Sequence, residues 1–472
     1  MRNKLVFKYI GKVLIGFSIL LLFPIIVSLI YKENFIGFII PLFISLLLGI
    51  LLNSLEPKNK TLYAKDGFMI VSLSWIIMSI LGALPFCIDL GTSFVDAFFE
   101  SVSGFTTTGA TIFDDVEVLG NNILFWRALM HFIGGMGILA FVMAIIPLSR
   151  DDRSMHVLKA EMPGPNVAKL VPGMKKTLFY LYGIYLVLMT LELILLLIGG
   201  LDFFDSLLIA MSTAGTGGFS GLNTSLATFS MFNKYVVAIF MFLFGVNFNI
   251  YFFIVVMKDI KTALKSEELK AYLLIYIFAV VFILINTYSM FTNISEALVS
   301  SVFHVSSVMT STGFSIGDIN IYPTACRILF LCLMLISACA GSTCGGFKIS
   351  RLIICFKTIK RDILKVFHPN SVSTITFEGK KVEEETINGT CTFLFLYIFF
   401  IILIMVLISF DGFSFEITLN AVFTTFANVG LCFEFSSFSI FSDFSTFVLS
   451  IGMLLGRLEI FPLIGLISSL RK

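Results

Sequence analysis

Charge is scarce in this sequence. Only 13% of its 472 residues are Asp, Glu, Lys or Arg, against 58% hydrophobic residues that include 54 phenylalanines. A soluble domain carries about 25% charged residues, so that class is excluded and the chain reads as a polytopic membrane protein. A net charge of +2 is too small to argue for a nucleic-acid partner. The eight cysteines (Cys87, Cys326, Cys332, Cys339, Cys344, Cys355, Cys391 and Cys432) sit mostly in apolar segments without paired spacing, as small buried hydrophobes do. Cys339 and Cys344 have no His or third cysteine at ligand spacing. Histidine is rarer still, and His131 and His304 lie on apolar segments with no carboxylate or serine at triad spacing, which leaves packing roles. No strand precedes Gly134, Gly135 and Gly137, so they favour close helix packing over phosphate binding, and no nucleotide fold is visible.

The few basic residues are strongly sorted. Arg2, Lys4, Lys8 and Lys12 precede an apolar run to Tyr31, and residues 35–52 return the chain to Lys58, Lys60 and Lys65, which makes a hairpin with both ends on one side. The first run is long and lacks a small-x-small cleavage site, so it is a retained helix. Placing residues 57–66, 149–176, 258–270, 348–381 and both termini on one face collects 27 of the 32 Lys and Arg. By the positive-inside rule that face is cytoplasmic. Of the rest, Lys32, Arg127, Lys234 and Arg327 fall near the opposite face, and Arg457 lies inside an apolar run. The opposite loops carry Asp114, Asp115, Glu117, Asp202, Asp205, Asp318, Glu434 and Asp443, an acidic vestibule that would concentrate cations.

Residues 105–111 (Phe-Thr-Thr-Thr-Gly-Ala-Thr) are a hydroxyl-rich, glycine-punctuated stretch between long apolar segments, preceded by a helix too short to cross a bilayer. The unit of apolar helix, acidic loop, half-helix, glycine-ended loop and second apolar helix occurs four times. Its first helices are expected over 68–90, 177–198, 269–288 and 390–410, and its second over 123–148, 235–257, from 327 onward, and 444–466. The loops are Thr106, Thr107, Thr108 and Gly109; Gly215, Thr216, Gly217 and Gly218; Thr310, Ser311, Thr312 and Gly313; and Ala427, Asn428, Val429 and Gly430. Non-helical backbone at membrane depth is tolerated only where protein or water covers it. Four such loops predict a pseudo-fourfold pore whose carbonyls replace the hydration shell of a monovalent cation, with the negative C-terminal ends of the half-helices aimed at the ion. Re-entrant loops of a secondary transporter are the competing reading, but that architecture usually shows two related halves.

A second glycine-rich stretch interrupts the third repeat: Ala338, Cys339, Ala340, Gly341, Ser342, Thr343, Cys344, Gly345 and Gly346. Such composition disfavours helix. Its position predicts an intramembrane loop that obstructs the pore and moves on gating, or else a tight small-residue helix crossing. Helix resumes over 347–362. Arg457, which costs about 2.5–3.5 kcal/mol at a bilayer centre on insertion scales, must face the pore or a partner, with Glu192 or Glu459 as neutralising candidates. It serves either as a barrier acting with the loop or as a structural salt bridge.

These loops, with residues 125–146 (opening Phe-Trp-Arg-Ala-Leu-Met-His-Phe-Ile-Gly-Gly-Met-Gly), 160–165 (Ala-Glu-Met-Pro-Gly-Pro), 338–346 and 456–459 (Gly-Arg-Leu-Glu), resemble the TrkH/KtrB superfamily of potassium transporters, in its TrkH branch. The resemblance spans essentially the whole chain. It implies four selectivity-filter segments that bind potassium, each ending in a glycine, and a gating loop at 338–346. It also implies a homodimer sitting on a cytosolic nucleotide-binding ring of the TrkA type that controls the gate. The basic stretches 159–176, 258–270 and 348–381 would dock such a partner, with 367–385 preferred. Departures from the pattern, Gly215 and Gly217 in the second filter and Val429, Leu431 and Cys432 in the fourth, bear on how strongly sodium is excluded.

The expectation is an all-α integral membrane protein of the bacterial cytoplasmic membrane, multi-pass with both termini cytoplasmic. An N-terminal hairpin over 1–66 precedes pore repeats over 67–150, 151–262, 263–368 (with the gating loop) and 369–472. Its function is potassium uptake through a selective, gated central pore; it is not an enzyme, has no covalently bound cofactor and takes potassium as substrate. A sodium- or proton-coupled symporter on the same fold is the alternative, and a redox enzyme or receptor using Cys339, Cys344 and the histidines is a different class.

Overall fold

A computed structural model describes residues 3–57, 63–137, 174–369 and 373–470. The motif at 160–165, the first repeat's second helix beyond 137 and most of the basic stretch 159–176 lie outside them. Among the described residues the regular secondary structure is helical except for two two-residue strands. Six helices among the described residues are long and apolar enough to cross a membrane, or seven if one bent pair is a single span. Helix suits that environment because it pairs every backbone group within the segment.

The N-terminal hairpin runs through Asn3–Leu20 and Leu22–Tyr31 and back along Ile36–Asn53. Gly11 and Gly49 let its arms touch: a Cβ on Gly11 would lie 2.8 Å from the Gly49 carbonyl oxygen. Trp126 fastens this hairpin to the rest. Its ring packs edge-on to Phe17, Phe38 and Phe105, with centroids 6.0, 6.1 and 6.0 Å away, and its indole N–H donates to the Gly82 carbonyl at 3.1 Å.

Four short helices, Phe94–Phe105, Phe203–Gly215, Ile294–Met309 and Phe415–Phe426, follow the membrane-crossing helices Ala64–Leu90, Met174–Ile198, Glu267–Thr287 and Glu384–Ile408. At 12 to 16 residues they span about 18–24 Å, short of a hydrocarbon core about 30 Å thick. Three start at side-chain caps, Ser93, Asp202 and Ser414.

The helices that follow differ from expectation. Instead of uninterrupted spans over 235–257 and 444–466, the chain forms Met231–Phe244 and Phe248–Val255, bent by 94°, and Asp443–Arg457 followed by Phe461–Leu470. The corresponding helix of the first repeat is Asn121–Gly135, and that of the third is Thr324–Ile336. The cause is contact with the short helices. A Cβ at Gly134 or Gly456 would lie 1.9 Å from the carbonyl oxygen of Phe105 or Phe426. Backbone meets backbone there, and the chain turns. Asn247 restarts one helix by accepting the Asn249 N–H at 3.0 Å, and Glu459 and Ile460 take positive φ (56° and 63°) before the last one.

Candidate functional site

Each short helix ends in the same backbone turn. The N–H groups of Thr107, Thr216, Ser311 and Asn428 bond to the carbonyls three residues back, at 3.2, 2.9, 3.2 and 3.2 Å. Those of Thr108, Gly217, Thr312 and Val429 reach five residues back, at 2.9, 2.9, 2.8 and 2.8 Å. This is the Schellman arrangement, which requires a left-handed residue at its pivot. The pivots Thr107, Thr216, Ser311 and Asn428 have φ of 54°, 55°, 53° and 56°, and two residues on Gly109, Gly218, Gly313 and Gly430 have φ of 79°, 78°, 85° and 76°.

The four segments close into a ring. A Cβ on Gly109 would lie 1.9 Å from the carbonyl oxygen of Gly217; on Gly218, 2.0 Å from that of Thr312; on Gly313, 2.0 Å from that of Val429; and on Gly430, 2.1 Å from that of Thr108. Each glycine faces the carbonyl just before the glycine of the next segment, and the fourth returns to the first. The loops outside the ring repeat that order. Asn223 accepts the Val116 N–H (2.8 Å) and donates to Asp115 (2.8 Å). Leu226 N–H donates to Ser315 O (3.0 Å), Glu434 N–H to Asn320 Oδ1 (2.9 Å) and Phe438 N–H to Thr111 O (2.9 Å). The acidic residues there tie loops together; hydrogen bonds from Ser437 and then Ser439 hold the Asp114 carboxyl below the usual carboxylate range.

The threonines divide by position. Thr106, Thr213 and Thr310 donate their hydroxyls to carbonyls of their own helices at 2.7, 2.9 and 2.6 Å, holding loops. The glycines of the second segment are sites of close approach rather than slack: a Cβ on Gly215 would meet the His131 carbonyl oxygen at 2.2 Å, and one on Gly217 the His131 ring at 2.3 Å. That ring stacks on Phe219, centroids 4.2 Å apart. In the fourth segment, poor in hydroxyls, the Asn428 amide donates to Thr108 Oγ1 at 2.9 Å and to the Met453 carbonyl at 3.0 Å.

Residues 337–348, between Thr324–Ile336 and Ile349–Phe367, are a non-helical, largely buried loop. It contains the predicted 338–346, and helix resumes two residues later than expected. Several of its backbone groups are paired, as burial favours, whereas the buried Ser337 hydroxyl finds no partner. Cys339 N–H donates to Gly245 O (3.2 Å), and Gly341 O accepts from Phe248 N–H (3.0 Å). Ala340 N–H donates to Glu268 Oε1 (2.7 Å) and Gly345 N–H to Ser311 Oγ (2.9 Å). A Cβ on Gly345 would lie 2.7 Å from the Ala427 carbonyl oxygen, so the loop touches the third and fourth segments directly. Arg457 reaches the same loop, donating to Thr343 O at 2.7 Å and to Gly134 O and Gly135 O at 2.5 and 2.9 Å. The carboxylates nominated for it lie elsewhere: Glu459 pairs with Arg351, and Glu192 is buried beside Thr213.

Sequence reasoning missed Glu100, and it placed Arg127 near the opposite membrane face. The two form a buried ion pair at 2.7 Å, 0% and 2% exposed. Glu100 also accepts from Thr111 Oγ1 (3.2 Å) and Ile112 N–H (3.0 Å), while the Arg127 guanidinium lies 4.0 Å from the centroid of Phe219. A carboxylate in the middle of a short helix, beyond its first turn, was the available signal. Removing one partner of such a pair costs about 3–5 kcal/mol, so Arg127→Met is expected to lower the thermal unfolding midpoint in detergent, and adding Glu100→Gln to recover much of the loss.

A family model described as "Cation transport protein", TrkH, matches residues 32–470. The chain is 32% identical to the Trk system potassium uptake protein TrkG of Escherichia coli (strain K12), over 96% of this chain and 95% of that one. It is 30% identical to TrkH of the same strain, over 99% and 98%. It also superposes on the crystal structure of the potassium transporter TrkH from Vibrio parahaemolyticus with a TM-score of 0.89, at 28% identity and 98% coverage of both chains. The same architecture, and sequence likeness along nearly the whole length, make this chain a member of the TrkH family of cation transport proteins.

Proposed function

We propose that the protein takes up potassium through a pore on the axis of the four-segment ring, with the residues from Thr106, Gly215, Thr310 and Ala427 to Gly109, Gly218, Gly313 and Gly430 as its selectivity filter. The observation that carries this reading is the cyclic contact of the four glycines with the four carbonyls. A closed ring of carbonyl-bearing backbone can replace the hydration shell of a monovalent cation without a charged side chain. The names of the relatives, potassium uptake proteins, support potassium as the substrate. Membership of a family of cation transporters excludes the enzyme reading. The chain is a multi-pass membrane protein of a Trk system, and such a system has more than one component.

The finer assignments follow from charge and contact. The loop 338–346 is the gate and Arg457 its latch, since the guanidinium ties the loop to the neighbouring helix ends. The basic face, with both termini, is cytoplasmic, and the membrane is the bacterial cytoplasmic membrane. There a homodimer sits on a TrkA-like nucleotide-binding ring. The repeats divide at 66, 150, 262 and 368. Purified protein in liposomes is expected to pass potassium and rubidium well above sodium with no second gradient imposed. Flux that starts only when a sodium or proton gradient is added would instead establish a symporter.

A further inference from the structure

The strands Thr376–Phe377 and Lys380–Lys381 form a hairpin in which Phe377 pairs with Lys380. Only Glu378 and Gly379 join them, at φ of 51° and 72°. Positive φ at both positions is the type I′ turn, whose first place favours Asn, Asp or Gly. Glutamate is a poor choice for that backbone, and its side-chain contacts supply the reason for it. The Glu378 carboxylate accepts from Ser266 Oγ at 2.8 Å and from the Glu268 N–H at 3.0 Å, at the start of the helix Glu267–Thr287. A free N–H there favours an anionic partner.

Glu268, whose N–H binds the hairpin, holds the intramembrane loop with its side chain. One oxygen accepts from Ala340 N–H at 2.7 Å, and the other from Asn247 Nδ2, at the bend of the second repeat, at 3.2 Å. The hairpin is also fastened to the helix that leaves the loop. Lys357 on Ile349–Phe367 donates to Thr376 O at 2.7 Å and pairs with Glu267, while Ile375 and Phe377 pack with Ile354 and Ile387. Both the helix that leaves the loop and the residue that binds its middle are therefore tied to one small hairpin with an exposed tip.

We propose that Glu378 is the positioning residue through which displacement of this hairpin reaches the gate. Seated on Ser266 and Glu268, it keeps the Glu268 carboxylate against Ala340 and the loop across the pore. A cytosolic partner that draws the hairpin away releases the loop. The proposal rests on the reading of residues 338–346 as the gate.

Glu378→Gly removes the carboxylate while placing the residue best suited to positive φ in the turn, and Glu378→Asn, also tolerant of that φ, serves as a second variant. For the full chain in liposomes without a partner, both are expected to raise rubidium flux several-fold and to leave the potassium-to-sodium ratio unchanged. Amide hydrogen exchange across 340–346 should become faster. Glu268→Ala should raise flux at least as much, and Glu378→Gly added to it should raise it no further, because both act on one path. Wild-type flux and exchange in both Glu378 variants, with raised flux in Glu268→Ala or on deletion of residues 341–345, would overturn the relay and leave the gate. No rise even on that deletion would remove the gate itself.

Discussion

Gly313→Ser is expected to abolish discrimination of potassium from sodium and to reduce potassium flux by about tenfold or more. Two costs coincide at this position. At φ of 85° any Cβ is strained, by roughly 1–2 kcal/mol. The same Cβ would lie 2.0 Å from the Val429 carbonyl oxygen, a distance no rotamer can relieve because both atoms are fixed by backbone. The ring must open at that joint, and each 1.4 kcal/mol lost from ion coordination is about a factor of ten. Gly412→Ser is the internal control: its φ is 78° and nothing lies within 4 Å of its Cβ position. It should lose a little stability and no selectivity. Equal loss of selectivity from both substitutions would mean that the contact between segments does not matter.

Arg457→Ala is expected to raise cation flux through the unpartnered chain, by about tenfold. The guanidinium supplies hydrogen bonds to Thr343, Gly134 and Gly135, and bonds to charged groups contribute about 1.5–3 kcal/mol each. Loss of even one shifts a closed-to-open balance by about a factor of ten, and loss of the charge lowers the barrier to a cation beside it. Rubidium uptake per folded molecule is the readout, with monodispersity in detergent measured alongside. Reduced folded yield with no increase in flux per molecule would make Arg457 a structural clamp.

The sequence made the short helices legible because their length and their glycine-ended loops break the pattern of a membrane span. The loop after Ile336 was visible from its small residues. The cyclic order was not legible, because which carbonyl faces which glycine is a matter of packing. Breaks after Gly135, Phe244 and Arg457 were also missed. At Gly245 and Asn247 a breaker and a helix cap stood in view, but an apolar run masked them; at Ile460 a β-branched residue takes positive φ, which no propensity suggests. The pairing of Arg127 with Glu100 was not legible because Glu100 is 27 residues away and belongs to another helix. In the fourth segment the bond from the Asn428 amide to Thr108 was not legible either, because it joins residues 320 positions apart.

The ring as a potassium site is tested most directly by diffraction from crystals grown in rubidium, read at the rubidium absorption edge. Anomalous peaks are expected on the ring axis, coordinated by backbone oxygens of the segments ending at Gly109, Gly218, Gly313 and Gly430, and lost in Gly313→Ser. Rubidium bound elsewhere, with an empty axis in well-ordered crystals, would contradict it.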